Sequence, residues 1–355
     1  MALLFMDSFD HYATADIAEK WTAVTGGTPA IGAYGRNSTS GLRLNSGVRP
    51  GVSATVLGDV SEAIVGVAVK PTVWTGAAMS AIITFGSGTQ WECGLMLLAD
   101  LTVRPFVVAS AAWAGPGSDT TNAWAVLLGS ASSVALQVGV WAYLEVRMKC
   151  DGSTGTCTVR LNGTEILALT GLDTLYTSAT LSRVAVAAAT TISAAAIDID
   201  DLVVMDTTGS LNNVFLGDVT ISAIYPSAVG NSTGWTPSAG SNYDCCNEAV
   251  VNDDTDYVAA TTLATKDLYA FTDAPAGADI KAVQLCIAAR KGAEGPGQLT
   301  PVVRSASTDY DKTAQGIGGT SYSYLRTVVE TDPATAAAWT ESGFNAAEWG
   351  FKKTG

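Results

Sequence analysis

The chain has 355 residues, 48% of them apolar and only 15% charged, with a formal net charge of −14 and a pI near 4.4. That mix excludes a coiled coil and a disordered chain, and the excess of acid speaks against a nucleic-acid partner, whose phosphates it would repel. The length predicts two domains, with enough chain to bury cores without staples.

The start, MALLFMDSFDHY, has no basic stretch and meets Asp7 early, so it reads as a strand over Leu3–Phe5 and not as a secretory signal. Synthesis in the cytoplasm is therefore expected. No window is long and apolar enough to span a bilayer, so no membrane partner is expected either. ADIAEKW reads as one helical turn or as a strand ending in Trp21. A Gly/Ser/Asn turn precedes a strand at Leu42–Leu44. Over Glu62–Pro71 the residues Ala63, Val65, Val67 and Val69 share one face. Ala78–Phe85, Gln90–Leu98, Val103–Ser110, Asn122–Gly129 and Ser133–Val138 follow as short strands at regular spacing.

The clearest local signal is Trp141–Leu169. Leu144, Val146 and Met148 alternate with Glu145, Arg147 and Lys149, and after a Gly/Ser/Asp turn Cys157, Val159 and Leu161 alternate with Thr158, Arg160 and Asn162. Such alternation on both sides of a turn is a half-buried hairpin. Setting Cys150 opposite Cys157 puts every apolar side chain on one face and makes Cys150–Cys157 the candidate disulfide. Two reduced, buried thiols are the competing reading. Leu181–Ala188 and Ala195–Met205 close the series. In AIDIDDLVVMD the apolar phase shifts at Asp200–Asp201, which predicts a bulge. Regular short strands with almost no helical periodicity mean a β-sandwich or barrel.

A polar joint follows Asp206 and divides the chain into a domain at 1–206, a linker at 207–214 and a second domain at 215–355. In the second domain Gly217–Tyr225, Asp267–Phe271, Ile280–Arg290, Gln298–Ser305, Tyr322–Glu330 and Trp349–Lys353 read as strands. Pro333–Trp339 and Thr340–Glu348 read as helical turns, with Thr340 as a cap for the second.

WAYLEVR at Trp141–Arg147, VRLNG at Val159–Gly163 and IDIDDLVV at Ile197–Val204 together resemble the concanavalin A-like, laminin-G-type jelly roll. That resemblance implies a last strand returning beside the first. DSFDHYATADIAEKW, then FLGDVTISAIY at Phe215–Tyr225, NDDTDY at Asn252–Tyr257 and the spaced WT…NAxEWG of Pro333–Gly350 resemble structural proteins of tailed bacteriophages. The expected fold is all-β: a concanavalin A-like jelly-roll sandwich followed by a smaller β-sandwich domain with a short helical segment near its end. The resemblance implies a virion component with no assigned catalysis.

The site residues are weighed on their own chemistry. A glycosidase needs two carboxyls, one protonated and one ionised. No strand carries an E-x-D-x-E array, and Glu92 and Glu145 read as acids on exposed strand faces. Asp198, Asp200 and Asp201 are the candidate metal ligands, with calcium as the one cofactor considered. Asn252, Asp253, Asp254 and Asp256 form a second acidic cluster that lacks the Gly and Glu spacing of an EF-hand loop. Solvated acids and turn caps outweigh a metal at both places. Trp74, Trp91, Trp113 and Trp124 fall at or near strand ends. Trp113, beside Gly and Pro, and Trp74 are the candidates for stacking on a glycan, although aromatics in sandwiches are mostly core. A lone His11 completes neither a Ser–His pair nor a zinc site. The expected role is non-enzymatic: a head decoration or a tail or neck accessory that stabilises a virion. Its partners would be capsid or tail proteins and further copies of itself. The alternative is a virion-surface adhesin that binds a host glycan.

Overall fold

The computed structural model describes residues 2–27, 29–45, 50–75, 79–110, 124–189 and 195–355. The chain divides into two compact units, Met1–Phe9 with Thr14–Ile221 and Asp10–Ala13 with Ser222–Gly355. The segment Phe215–Ile221, assigned to the second domain from the sequence, thus packs with the first. No described helix is long and apolar enough to cross a membrane.

The first unit contains β1 (Leu3–Asp7), α1 (Ile17–Lys20), β2 (Ala23–Thr25), β3 (Ala30–Gly32), β4 (Gly41–Asn45), β5 (Gly51–Val60), β6 (Glu62–Trp74) and β7 (Ser80–Ser87). It continues through β8 (Gln90–Leu97), β9 (Val103–Val108), β10 (Ala125–Leu127), β11 (Ala142–Lys149), β12 (Gly155–Leu161), β13 (Thr164–Leu172), β14 (Leu181–Ala189) and β15 (Ala195–Asp206). Among the described residues these strands form two sheets. The first runs β13-β12-β11-β6-β15-β4-β3, with β1 also on β15, and the second runs β10-β9-β8-β7-β14-β5-β2. Val65, Val67, Val146, Val159 and Ile199 of the first sheet are buried, as are Ile83, Phe85, Leu95, Val184 and Val186 of the second. These inward faces make the core of a concanavalin A-like sandwich. The last strand does return beside the first, with Leu3 opposite Met205 and Asp7 opposite Leu202. The bulge at Asp200–Asp201 is also present. Asp200 pairs Ala68, the ladder resumes at Val203 opposite Gly66, and Asp201 takes a left-handed φ of 48°.

The opening DSFD stretch folds around Asp7. Its buried carboxylate accepts hydrogen bonds from Lys20 Nζ at 2.8 Å, Trp21 Nε1 at 2.9 Å and Phe9 N at 2.9 Å. The helical turn α1 delivers Lys20 and Trp21 to it, and the Trp21 ring meets Phe5 edge-on and lies parallel to Phe9.

The β11–β12 hairpin keeps the expected faces but not the expected register. Met148, not Cys150, lies opposite Cys157, and Val146 and Leu144 lie opposite Val159 and Leu161. A slip of two residues preserves the side of every side chain, which is why alternation alone could not detect it. Cys150 instead leaves the hairpin: its N–H bonds Ser61 O and its thiol donates to Ser178 O at 3.2 Å. Asp151 caps the longer turn, accepting from Ser153 N and Thr154 N. Those N–H groups, Thr154 first, hold its carboxyl down at about 2. The Cys150–Cys157 disulfide is therefore corrected to two free, buried thiols, and burial pushes the Cys157 thiol up to about 12. Thiol-reactive dye added to unfolded, unreduced protein should count all six cysteines. A count of four that rises to six with reductant would contradict this register.

The second unit contains β16 (Pro226–Thr233), β17 (Thr236–Pro237), β18 (Val258–Ala259), β19 (Lys266–Phe271), β20 (Val283–Ala289), β21 (Gln298–Ser305), β22 (Thr308–Asp311), β23 (Gln315–Gly316), β24 (Ser323–Val329), α2 (Glu341–Asn345) and β25 (Glu348–Lys353). Its main sheet runs β16-β19-β25-β21-β22 with β23 on β21, and β20 and β24 form a separate ladder. Leu285, Ile287, Leu325 and Val329 of that ladder share one buried cluster with Leu299, Val303, Trp349 and Phe351 of the sheet. Thr340 caps α2, its Oγ1 accepting from Gly343 N at 3.0 Å. Pro333–Trp339 is not helical but a turn closed by a bridge between Thr331 and Ala338. The aromatic and polar residues near the end of the chain are spent on this core. Trp339 Nε1 bonds Val329 O, Asn345 Oδ1 receives Ala274 N, and the rings of Trp339, Phe344 and Trp349 meet one another. A Cβ on Gly350 would lie 2.0 Å from the Asp267 carbonyl oxygen. Gly350→Ala should therefore forfeit about 3 kcal/mol or more, because strand backbone and not a flexible tip must give way. Denaturant unfolding reads it, and a loss below about 1 kcal/mol would contradict the packing.

Candidate functional site

Two faces of the sandwich, one on each sheet and both turned away from the core, gather the residues with chemistry. On the first sheet the acids singled out from the sequence come together, but with cations and N–H groups in place of a metal. Arg43 closes its Nε and Nη2 on Asp198 at 2.6 and 2.9 Å, and Lys70 Nζ adds a contact at 3.1 Å. Asp200 accepts from Arg36 N at 2.7 Å, from Thr39 Oγ1 and from Asp201 N. Asp201 is bound by Arg36 Nε at 2.7 Å and Nη2 at 2.6 Å on one oxygen and by Ile221 N at 2.6 Å on the other. Calcium needs six to eight oxygens turned inward on one point. Here the lone pairs point at guanidinium and amide protons, so the proposed calcium ligands Asp198, Asp200 and Asp201 are structural anchors. Among the described residues no group of three acidic, His or Cys side chains is placed to hold a metal. In the second acidic cluster Asn252 bonds Asp256, and Asp254 is held by Arg290 and Tyr322.

Glu92 and Glu145 are buried, not exposed. Glu92 is the extra residue of a bulge, where the register passes from Phe85 opposite Cys93 to Gly86 opposite Trp91. Its carboxylate receives Tyr176 N, Thr177 N and Thr177 Oγ1 at 2.6–2.9 Å and so pins the loop before β14.

Glu145 lies under Phe215–Ile221, which crosses this face as a strap. The sequence predicted a strand here. The structure has none, because the backbone bonds go to side chains and not to a neighbouring strand. Gly217 N donates to Glu145 Oε1 at 2.9 Å, and Ile221 N donates to Asp201. Arg36 Nη1 and Nη2 donate to Asp218 Oδ1 and Val219 O, and Arg160 lies over the Phe215 ring. Glu145 Oε2 is buried without a hydrogen-bond partner among the described residues. Burial pushes this carboxyl up, against the pull of the Gly217 and Leu216 N–H groups and of Arg160. The folded protein then holds a proton on Glu145 more firmly than the unfolded chain does. Its contribution is fullest below the unfolded value, ~4.3, and is lost as pH rises through the raised folded value. Glu145→Gln, which keeps an acceptor for the strap without the charge, should match or exceed the parent's melting temperature at pH 7, with the gap closing toward pH 4. A variant markedly less stable at pH 7 would contradict the sign.

On the second sheet the outward face has a floor of small residues. Gly86, Thr84, Ala185 and Gly94 are neighbours across β7, β14 and β8. A Cβ on Gly94 would lie 2.8 Å from the Phe106 ring, and one on Gly86 would lie 2.9 Å from both Trp91 and Arg183 Nε. The missing side chains are what let these large groups lie down on the sheet. Trp91, Met96, Phe106, Val108 and Trp124 form an apolar cluster there, with Trp124 edge-on to Phe106 at 5.3 Å. Arg183 stacks on Trp91 with 3.9 Å from its guanidinium carbon to the ring centre. Its Nε and Nη2, like Thr84 Oγ1, are buried and have no hydrogen-bond partner among the described residues. Burial alone lowers the Arg183 pKa. Trp91 and Trp124 stand out in the sequence as aromatics near strand ends. Arg183 was missed, although it is the one charge in LSRVAVAAA and that isolation was the available signal. Of the glycan candidates, Trp74 sits at the end of β6 with Nε1 bonded at 3.2 Å to the carbonyl of Leu98, which itself packs against this cluster, and Trp113 lies outside the described residues.

No protein-family model matches the chain, and no curated protein sequence matches it. Solved structures similar to it include an endo-β-1,4-glucuronan lyase from the fungus Trichoderma reesei, at a TM-score of 0.41 and 13% identity, covering 57% of this chain and 94% of that one. An alginate lyase, Aly36B, solved with an alginate trisaccharide, scores 0.38 at 13% identity over 54% of this chain and 91% of its own. The cellulose-induced protein Cip1 scores 0.39 at 13% identity, over 56% and 96%. At these scores and identities neither activity nor ligand passes from those proteins to this chain.

Proposed function

We propose that this chain is a non-enzymatic structural protein of a tailed-bacteriophage particle, a head decoration or a tail or neck accessory made in the host cytoplasm and present in several copies. The observation that carries the reading is the commitment of the sandwich's acids. Glu92, Glu145, Asp198, Asp200 and Asp201 each hold a loop, a strap or an arginine of this same chain. Acids so occupied serve the fold, not a pair of exchanging protons. The phage-like residues around Trp339 and Trp349 support the same reading through the second unit's core. Copies would associate through apolar side chains that single chains leave in water, such as Val138, Val140, Val229 and Leu263. Particles assembled without the protein should lose infectivity faster on heating, while adsorption to the host stays unchanged. Normal heat resistance with failed adsorption would favour the adhesin, the second reading, for which the Trp91–Arg183 face speaks.

A further inference from the structure

Among the described residues four arginines present the same edge, Nε with Nη2, to a carboxylate: Arg36 to Asp201, Arg43 to Asp198, Arg147 to Glu62 and Arg290 to Asp254, all at 2.6–3.0 Å. This planar fork matches the two oxygens of a carboxylate. Arg183 holds the same two nitrogens out of water, with the Trp91 ring beside them and the bare backbone of Gly86 beneath. Among the described residues neither nitrogen has an acceptor, and donors left buried in this way are costly to the fold. Glu92, adjacent to Trp91 in sequence, is already occupied by Tyr176 and Thr177.

We infer that Arg183 and Trp91 form a subsite for the carboxylate of an acidic saccharide, the guanidinium fork taking the carboxylate and the indole offering an apolar wall to the sugar ring. Thr84, diagonal to Arg183 on the same face, adds a buried hydroxyl without a partner. The fork and the indole, 4% exposed beneath it, are both closed to water in the free protein, so the ligand enters as Arg183 turns about its outer torsions and bares the ring. It then exchanges a stack on Trp91 for a charge-assisted pair, which is the stronger contact. Hydroxyl groups alone cannot use the fork in this way, so neutral sugars are poor ligands. This inference goes beyond the assembly role and stands without it.

The test uses the full chain and the Nε–H resonance of Arg183, identified by its loss in Arg183→Lys, titrated with sodium glucuronate, glucose and sodium acetate. Saturable movement with glucuronate and none with glucose is the expected result. Calorimetry should show affinity for glucuronate down roughly tenfold in Arg183→Lys, whose ammonium has no fork, and abolished in Arg183→Gln. Acetate saturating at the same concentrations as glucuronate would overturn the saccharide part and leave a carboxylate site. No saturation with either anion, or equal affinity in Arg183→Gln with an unchanged melting temperature, would overturn the subsite itself.

Discussion

Replacing Asp7 by Ala should destabilise the first unit by about 3–5 kcal/mol, because it breaks a buried ion pair by removing one partner. Asp7 and Lys20 form an ion pair at 2.8 Å in which neither side chain has any exposure. The carboxylate also receives Trp21 Nε1 and Phe9 N, so removal takes one buried acceptor from three donors at once. Against a whole stability on the order of 5–15 kcal/mol such a loss is large. The cause can be separated from simple loss of packing. Lys20→Met in the Asp7→Ala background removes the other buried charge of the pair and should restore part of the loss, so the two substitutions should be less than additive. If the double variant is as unstable as the sum of the singles, the pair is not what holds the opening strand to α1.

Arg36→Ala should cost a similar amount, about 3–5 kcal/mol, for the same reason with the sign of the charge reversed. The guanidinium is the partner of Asp201, a carboxyl that burial pushes up and that Arg36 pulls back down. Without Arg36 the Asp201 pKa rises further. The deficit should then be widest at neutral pH and narrow as acid protonates the orphaned carboxyl. A local signature accompanies the global one, since Arg36 also grips Asp218 and Val219 of the strap. Amide exchange at Gly217 and Ile221 should quicken in the variant, while exchange in the β11–β12 ladder follows global stability only. Arg36→Lys should not rescue, since an ammonium cannot bond Asp201, Asp218 and the Val219 carbonyl in one plane. Unchanged exchange at Gly217 would show that the strap does not depend on this residue.

What the sequence made legible is what repeats at short range. Alternation in Glu62–Pro71 and around Trp141–Leu169 reports which side of a strand is buried, and those faces are as expected. The two-residue register error at Cys157 shows the limit, because parity survives a slip of two and only the Asp151 turn decides between registers. The bulge at Asp200–Asp201 was legible because it changes parity. The acid network was not, since the cations that answer Asp198, Asp200 and Asp201 stand more than 100 residues earlier, at Arg36, Arg43 and Lys70. The strap was misread for a related reason. Val219 and Ile221 alternate like a strand, yet their neighbours are carboxylates and an arginine, and no ladder of side chains in the sequence announces that. Glu92 and Glu145 looked exposed because a charged residue usually is. Here a bulge and a strap bury them, and both arise from other parts of the chain.

The central claim is that this chain is a stable part of a phage particle and that its carboxylates serve its own fold. Quantitative mass spectrometry of purified particles, with cross-linking to name what the chain touches, tests this most directly. The account predicts the protein in a fixed multiple of the particle's symmetry, cross-linked to capsid or tail proteins and to its own copies. Particles free of the chain, together with purified protein that releases sugars from a polysaccharide, would contradict it.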